Sequence, residues 1–455
     1  MFGINKDLHI HFIGIGGIGM SGIAHVLLSL GYKVSGSDIS ESATVKNLEK
    51  NGAKIFIGHR AENIEDVQLI VYSSAIDNKN PEISKAMDQN IPIVKRAEML
   101  AELMRLRFGL AVAGSHGKTT TTSMLSTIFK QDGRNPTCIV GGIVKNLDGQ
   151  AISGDSKFLI AEADESDGSF LFLNPIMSVI TNIDNDHMDY YKTEEAIFSA
   201  FQEFSNKVPF YGCVALNIDD ENSRKLIEKI KRPYVTFGIH HEADYQASEL
   251  EFTEAGCSYK FTHQNFSRKI NLGMSGEYNV LNSLAAISIA HRAGIELEKA
   301  CEGIEAFQGV GRRFEYLKND KELVVIDDYA HHPTEIENIL KVFNSKYHDK
   351  NRVCIFQPHR YSRTKEFWNE FVNCFRGVSK VYVCPIYAAS EKPIEYIDAE
   401  IMVKNINEKF HNAEYLPDFN EAKKVIAELK GSSSTLITLG AGSISKEIRG
   451  ILASL

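Results

Sequence analysis

Several things are scarce in this chain of 455 residues. Its seven cysteines are scattered, with no CxxC pair and no metal-ligand spacing. That excludes a disulfide framework or a cysteine-based zinc site and reads as free thiols in a reducing compartment. No apolar run approaches the ~18 residues expected of a membrane-spanning helix. Basic residues are in deficit: 50 Lys and Arg against 59 Asp and Glu leave a formal charge of −9. The basic footprint of a nucleic-acid binder is therefore missing. Sequence repeats and low-complexity segments are absent as well. The N-terminus leads directly into a strand-like run and a glycine turn, so no cleavable signal is expected. The expectation is a soluble, cytoplasmic protein that neither binds nucleic acid nor inserts in a membrane. An acidic global charge still permits small anionic ligands, because local loops and arginines can hold them.

Two different phosphate-type loops stand out against that background. The first, Gly14-Ile15-Gly16-Gly17-Ile18-Gly19, follows the apolar run Ile10–Ile13. The second, Gly114-Ser115-His116-Gly117-Lys118-Thr119-Thr120, follows Leu110–Ala113. Each is a glycine turn between a strand and a helix, where backbone N–H groups and the helix dipole favour an anion. Only the second adds a lysine for terminal phosphates and a hydroxyl that can reach Mg²⁺. It departs from the strict GxxxxGK[ST] spacing, since Val112 stands two residues before Gly114. One loop is suited to holding a diphosphate, the other to reacting one, which points to an ATP-consuming enzyme with a nucleotide-linked substrate.

Hydrophobic content of 43% with 24% charged residues supports several cores, and the length suggests roughly three domains of ~150 residues. Strand-like runs at His9–Ile13, Tyr32–Gly36, Lys54–Ile57 and Leu69–Tyr72 alternate with helical segments. The alternation resumes at Leu110–Ala113, Phe158–Ala161 and Met177–Ile180. A third series comprises Leu323–Ile326, Arg352–Phe356, Lys380–Val383 and Thr435–Thr438. Boundaries near residues 106 and 318 give three consecutive α/β domains, 1–106, 107–318 and 319–455. Ligands are then expected at strand C-terminal ends.

In the first domain Gly14, Gly16 and Gly19, with Asp38 ending the next strand, match a dinucleotide fingerprint. A dehydrogenase, a nucleotide-sugar site and tight helix packing without ligand are all open readings of it. Gly17, Met20 and Ser21 continue the small-residue surface, and Ser73 and Ser74 follow another strand end. In the second domain Lys118 is expected to neutralise β and γ phosphates and Thr119 to ligate Mg²⁺. Two acidic strand ends, Glu162–Asp167 and Thr181–His187, could complete a metal site; solvated acidic faces are the plainer alternative. In the third, Arg312-Arg313, Asp327–Glu335 and Gln357–Arg363 follow strand ends, and their arginines suit carboxylates and phosphates. Asp-His pairs also evoke a hydrolytic triad, but no GxSxG elbow accompanies them.

Taken in order, these segments resemble the Mur ligases across essentially the whole chain. The resemblance is carried by GIGGIGMSG at 14–22, SGSD at 35–38, GSHGKTTTT at 114–122 and EADESDGSF at 162–170. TNIDNDHMDYY at 181–191, FQGVGRRFEY at 307–316, DDYAHHPTE at 327–335 and FQPHRYSRT at 356–364 complete it. It implies a Rossmann-like UDP-sugar domain, a central P-loop ATPase-like domain and a Rossmann-like C-terminal domain for the amino acid. The implied reaction joins an amino acid, here L-alanine, to the lactyl carboxylate of UDP-N-acetylmuramate at the expense of ATP. It also implies that Thr119, Glu162 and His187 ligate metal. Gly114–Thr120, Asn279, Asn282, Arg312, Arg313 and Asp328 would face ATP, and His359, Arg360 and Arg363 the amino-acid carboxylate or the intermediate. The chain would act as a monomer or weak homodimer. A dehydrogenase would leave Gly114–Thr120 unexplained, and a pure nucleotide-binding regulator would leave the acid, His and Arg clusters without use. A peptide-recycling member is the nearest alternative within the family. Three departures stand out: Ser115 replaces a usual threonine, and Tyr278 stands where a histidine commonly precedes the first asparagine. Ala200 or Phe201 falls where several sister ligases carry a carbamylated lysine.

Overall fold

The computed structural model describes residues 7–73, 76–77, 79–144, 149–253 and 256–454. Among these residues the strands form three sheets, and the chain divides into two compact units. The first unit holds a five-stranded and a ten-stranded sheet. The second, continuous from Gly309 onward, holds a six-stranded sheet. No helix among the described residues is long and apolar enough to cross a membrane. All seven cysteines are buried free thiols.

The five-stranded sheet runs in the order Lys54–Ile57, Lys33–Asp38, His9–Ile13, Leu69–Tyr72, Ile93–Lys95, every neighbour parallel. Strand order reverses at His9–Ile13, and in such sheets a ligand crevice opens outside the strand ends at the reversal. The loops that start there are those of Gly14 and Ser73. The helix after Gly14 runs Ile18–Ser29 with Gly17 as its N-cap. The glycines are small enough to be helical here, because the loop itself is the helix's first turn. Met20 therefore buries its side chain in the core at 1% exposure, which limits it to a backbone contact with any ligand. Ser74 lies outside the described residues.

The ten-stranded sheet is centred on Phe108–Ala113, a continuous apolar run because both of its faces are covered. Phe158–Glu162 lies parallel on one side, with Val112 opposite Glu162. Met177–Ile180 lies parallel on the other, with Ala113 opposite Ile180. Parallel pairing thus brings the ends of three neighbouring strands, and the loops that follow them, to one edge. The stretch Ser258–Leu272 is two strands, Gly256–His263 and Phe266–Leu272.

The helix Lys118–Gln131 begins with four threonines, which are poor helix formers. Its hydroxyls bond back to carbonyls one turn earlier: Ser123 to Thr119, Ser126 to Thr122 and Thr127 to Ser123, at 2.7–2.9 Å. Those bonds satisfy polar groups on a helix buried from Thr120 to Phe129.

In the second unit the order is Glu315–Asn319, Val324–Asp328, Ser434–Leu439, Asn351–Phe356, Lys380–Val383, Ala413–Tyr415. Only the first pairing is antiparallel. Residue 318, read from the sequence as a domain boundary, falls inside this edge strand. Two apolar clusters cover the two faces of the sheet.

Candidate active site

The second glycine loop is shaped by its close neighbours. Gly114 has φ +133°, and a methyl group there would sit 1.9 Å from the Thr181 hydroxyl. Gly117, the helix N-cap, has φ +85°, a left-handed conformation that disfavours side chains. A methyl at Gly117 would lie 2.5 Å from Asn282 Oδ1. The loop is also tied to the strand end at Thr181. The Thr181 hydroxyl donates to the His116 carbonyl at 2.5 Å, His116 N–H to Asn182 Oδ1 at 2.9 Å, and Asp184 N–H to Ser115 Oγ at 2.9 Å. The His116 ring sits 3.0 Å from Asp184 Oδ2.

Lys118 curls back over its own loop. Its ammonium donates to the carbonyls of Gly114 at 2.6 Å and Ser115 at 3.1 Å, and to Glu165 Oε1 at 2.7 Å. Burial alone would lower this ammonium's pKa, but Glu165 and then Asp164 outweigh it and hold the lysine charged. Burial pushes the Glu165 carboxyl up, to about 7, although Lys118 pulls the other way. His187, in a left-handed conformation at φ +60°, brings Nε2 to 3.6 Å from the same Glu165 oxygen and 3.5 Å from Asp186. Tyr191 fixes the Glu165 backbone carbonyl at 2.6 Å. Glu165 is thus central to this cluster and was not singled out by its sequence. Four carboxylates crowd into 162–167, and spacing alone cannot tell which one faces Lys118.

Glu162 sits at its strand end in register with Val112. Thr119 is half-buried and Thr120 buried. Asn279 and Asn282 are buried on the helix Glu277–Arg292, and Asn282 accepts the Thr121 hydroxyl at 3.1 Å.

Around the first loop, Gly14 and Ile15 N–H groups donate to the Ser37 carbonyl at 2.8 and 3.0 Å, and Gly16 N–H to Asp38 Oδ2 at 2.8 Å. Asp38 therefore braces the loop from beneath. Ser73 N–H bonds Ile13 O at 3.3 Å, beside Gly14, and Ser21 N–H bonds Gly17 O.

The second unit carries its own polar cluster. Arg312 and Arg313 both lie over the Tyr329 ring, 4.8 and 5.3 Å from its centre. Asp328, expected toward ATP, is buried at 1% exposure and accepts N–H bonds from Phe314 at 2.6 Å and Ala330 at 2.8 Å. Burial pushes its carboxyl up to about 6; its visible work is to clamp two loops. His359 stacks on Tyr387 with ring centres 5.5 Å apart. Burial, then Arg363 and Arg360, lower its pKa to about 4, so it is neutral at pH 7. Arg363 is buried on the short helix Tyr361–Glu366.

Arg360 has φ +71° and ψ 132°, a region rarely used by side-chain-bearing residues and costing about 1–3 kcal/mol. Its backbone N–H bonds Tyr387 O at 2.8 Å, and its Nε bonds Glu391 Oε1 at 2.6 Å. Ser362 adds two bonds to the same carboxylate, at 2.9 and 2.6 Å. Burial would raise Glu391, but the Ser362 bonds and Arg360 hold its carboxyl below the usual range. Glu391, too, was invisible in sequence, lying 31 positions from Arg360 with no motif around it.

A P-loop whose lysine meets buried acids, on a chain that also carries a Rossmann-type glycine loop and an arginine–histidine cluster, defines an ATP-dependent ligase class. Comparison with known proteins makes it specific. Three family models match in succession: "Mur ligase family, catalytic domain" over residues 9–108, "Mur ligase middle domain" over 112–290 and "Mur ligase, glutamate ligase domain" over 312–442. A UDP-N-acetylmuramate–L-alanine ligase of Nitratidesulfovibrio vulgaris (strain DP4) is 46% identical over 441 residues, 97% of each chain. Among solved structures, a UDP-N-acetylmuramate-alanine ligase from Thermotoga maritima superposes with TM-score 0.83 at 30% identity, covering 98% of this chain and 99% of that one. A murein peptide ligase from Psychrobacter arcticus reaches TM-score 0.73 at 21% identity, covering 98% of each, and shares the fold. The chain belongs to the Mur ligase family.

Proposed function

We infer that this protein is an ATP-dependent ligase joining L-alanine to the lactyl carboxylate of UDP-N-acetylmuramate, with ADP and phosphate released, in cytoplasmic peptidoglycan synthesis. The observation that carries it is Lys118, held charged between its loop carbonyls and Glu165. Identity to L-alanine ligases over nearly the full length supports the substrate. A carboxylate is a poor acyl donor, so γ-phosphoryl transfer first makes an acyl phosphate. That step depends on positioning and charge neutralisation. Lys118 supplies a fixed cation, and the backbone N–H groups of Gly117, Lys118 and Thr119 supply donors. The amine then attacks the acyl carbon and phosphate leaves.

His359, neutral at pH 7, and Arg360 would hold the amino acid's carboxylate, with Arg363 beside them. Arg312, Arg313, Asn279 and Asn282 would line ATP. The division of labour is one of three domains, with UDP-sugar, ATP and amino acid assigned in chain order to the N-terminal, central and C-terminal domains. The chain works as a monomer or weak homodimer and has no nucleic-acid partner.

The donor set fits Mg²⁺. Hydroxyl and carboxylate oxygens suit that ion, and Glu165 keeps Oε2 buried with no hydrogen-bond partner among the described residues. Thr119, Glu162 and His187, with Glu165 beside them, would hold it. Bound there, it would offset phosphate charge.

The test is ADP release with UDP-N-acetylmuramate against a panel of amino acids and the L-alanine-headed tripeptide. L-alanine should be best, with release requiring both UDP-sugar and Mg²⁺. Tight NADH binding without any UDP-sugar dependence would overturn the reading, and preference for the tripeptide would make the chain a recycling ligase.

A further inference from the structure

The first anion loop and the acidic segment beside Lys118 are linked by one side chain that neither motif contains. Arg96 opens the helix Arg96–Arg105, and its side chain lies against Gly19, the last glycine of the first loop. A methyl group on Gly19 would come within 2.8 Å of Arg96 Nη1 and 3.1 Å of its Cδ. Glycine at 19 thus lets the arginine lie directly on the loop, where a side chain would push it aside. On its other side, Arg96 Nη2 stands 3.7 Å from Asp164 Oδ2. That distance is too long for a hydrogen bond, and the Asp164 side chain is 44% exposed. Such a pair is loose, hydrated and easily exchanged. Asp164 in turn is among the charges that hold Lys118 protonated. A cation is therefore pressed on the backbone of a diphosphate-type loop, while its present counter-charge belongs to the acidic segment beside Lys118.

We propose that Arg96 is the counter-charge for the diphosphate of the nucleotide-sugar substrate, and that Asp164 is a placeholder which the diphosphate displaces. This rests on the ligase reading above. The physics favours such a group: the first loop offers only neutral N–H donors, and Gly16 N–H already serves Asp38. A diphosphate arriving there needs a positive charge, and a planar guanidinium on the loop can meet two of its oxygens at once. Displacement of Asp164 leaves that carboxylate entirely to the Lys118 side. UDP-sugar binding is thereby felt at the ATP loop.

Calorimetric titration of UDP-N-acetylmuramate, and separately of UDP, into the full chain tests this. Arg96→Ala should weaken both ligands roughly tenfold or more, the loss typical of a charge-assisted contact. Arg96→Lys should fall between it and the wild type. Asp164→Asn should bind both ligands as tightly as wild type or tighter, because the competitor is gone. That opposite sign separates a placeholder from a structural brace, whose two halves would fail alike. Equal weakening in Asp164→Asn and Arg96→Ala overturns the proposal, as does unchanged affinity in a folded Arg96→Ala. If Arg96→Ala fails to fold, Arg96→Lys against Asp164→Asn carries the same contrast. Loss confined to UDP-N-acetylmuramate, with UDP unaffected, would assign Arg96 to the lactyl carboxylate and refute the diphosphate role. Failure of the wild type to bind UDP-N-acetylmuramate would strike the ligase reading itself.

Discussion

Replacing Gly117 by alanine adds one methyl group where the ATP loop becomes a helix, and its cost can be worked out in two parts. The left-handed backbone, φ +85°, costs about 1 kcal/mol for a residue with a Cβ. The methyl would also lie 2.5 Å from Asn282 Oδ1, so Asn282 must move. That breaks its 3.1 Å bond from the Thr121 hydroxyl, worth about 1 kcal/mol. The total destabilisation is about 2 kcal/mol. Gly31 provides an internal control: its φ is +87°, yet nothing lies within 4 Å of a methyl placed there. Gly31→Ala should cost only the dihedral term, about 1 kcal/mol, and leave catalysis alone. Because Asn282 is assigned to ATP, Gly117→Ala should raise the ATP KM roughly tenfold while the UDP-sugar affinity holds. Thermal unfolding and initial rates of ADP release measure the two effects. If the two variants unfold alike and the Gly117→Ala KM stays within about twofold of wild type, the crowding argument is wrong.

Lys118→Ala should abolish ligation yet leave UDP-sugar binding nearly intact by calorimetry, since the two loops sit on different sheets. A comparable loss of UDP-sugar affinity would displace the first-domain assignment. Arg360→Ala should raise the alanine KM roughly tenfold or more and the ATP KM far less. Glu391→Gln should follow it in direction with a smaller effect, and an unchanged alanine KM in both would move amino-acid recognition to Arg363. Phe201 is fully buried and packs edge-on against Phe170 with ring centres 5.4 Å apart, while Ala200 is 8% exposed. Neither can form a carbamate, so activity in CO₂-stripped and bicarbonate-supplemented buffer should be the same. Phe201→Lys should unfold at lower temperature by burying an amine. A several-fold rescue by bicarbonate would show that another lysine does form one.

Short strands were legible to the residue. Lys54–Ile57, Leu69–Tyr72, Met177–Ile180 and Lys380–Val383 run as read, because an apolar run cut off by turn residues leaves little freedom. The start of the helix Ile18–Ser29 has no mark in the sequence, because its first turn is the glycine loop itself, where helix and turn chemistry coincide. The two glycine loops were visible as motifs, since glycine, lysine and hydroxyl must be neighbours in sequence to face one phosphate chain. Their supports were not. Arg96 meets Asp164 and Arg360 meets Glu391 only through the fold: Asp164 and Arg360 lie in visible motifs, but nothing in local composition marks Arg96 or Glu391.

The register of the central sheet sets a rule of parity for this protein. Val112 faces Glu162 and Ala113 faces Ile180 across parallel strands, and side chains alternate between faces along each strand. Removing one residue from Phe158–Glu162 would leave the strand count intact but turn every later side chain to the opposite face. Glu162 would exchange sides with a core residue, and the turn that presents Glu165 to Lys118 would start from the wrong side of the sheet. Loops of this protein can therefore gain or lose residues away from the edge one at a time, whereas these three strands tolerate length changes only in pairs.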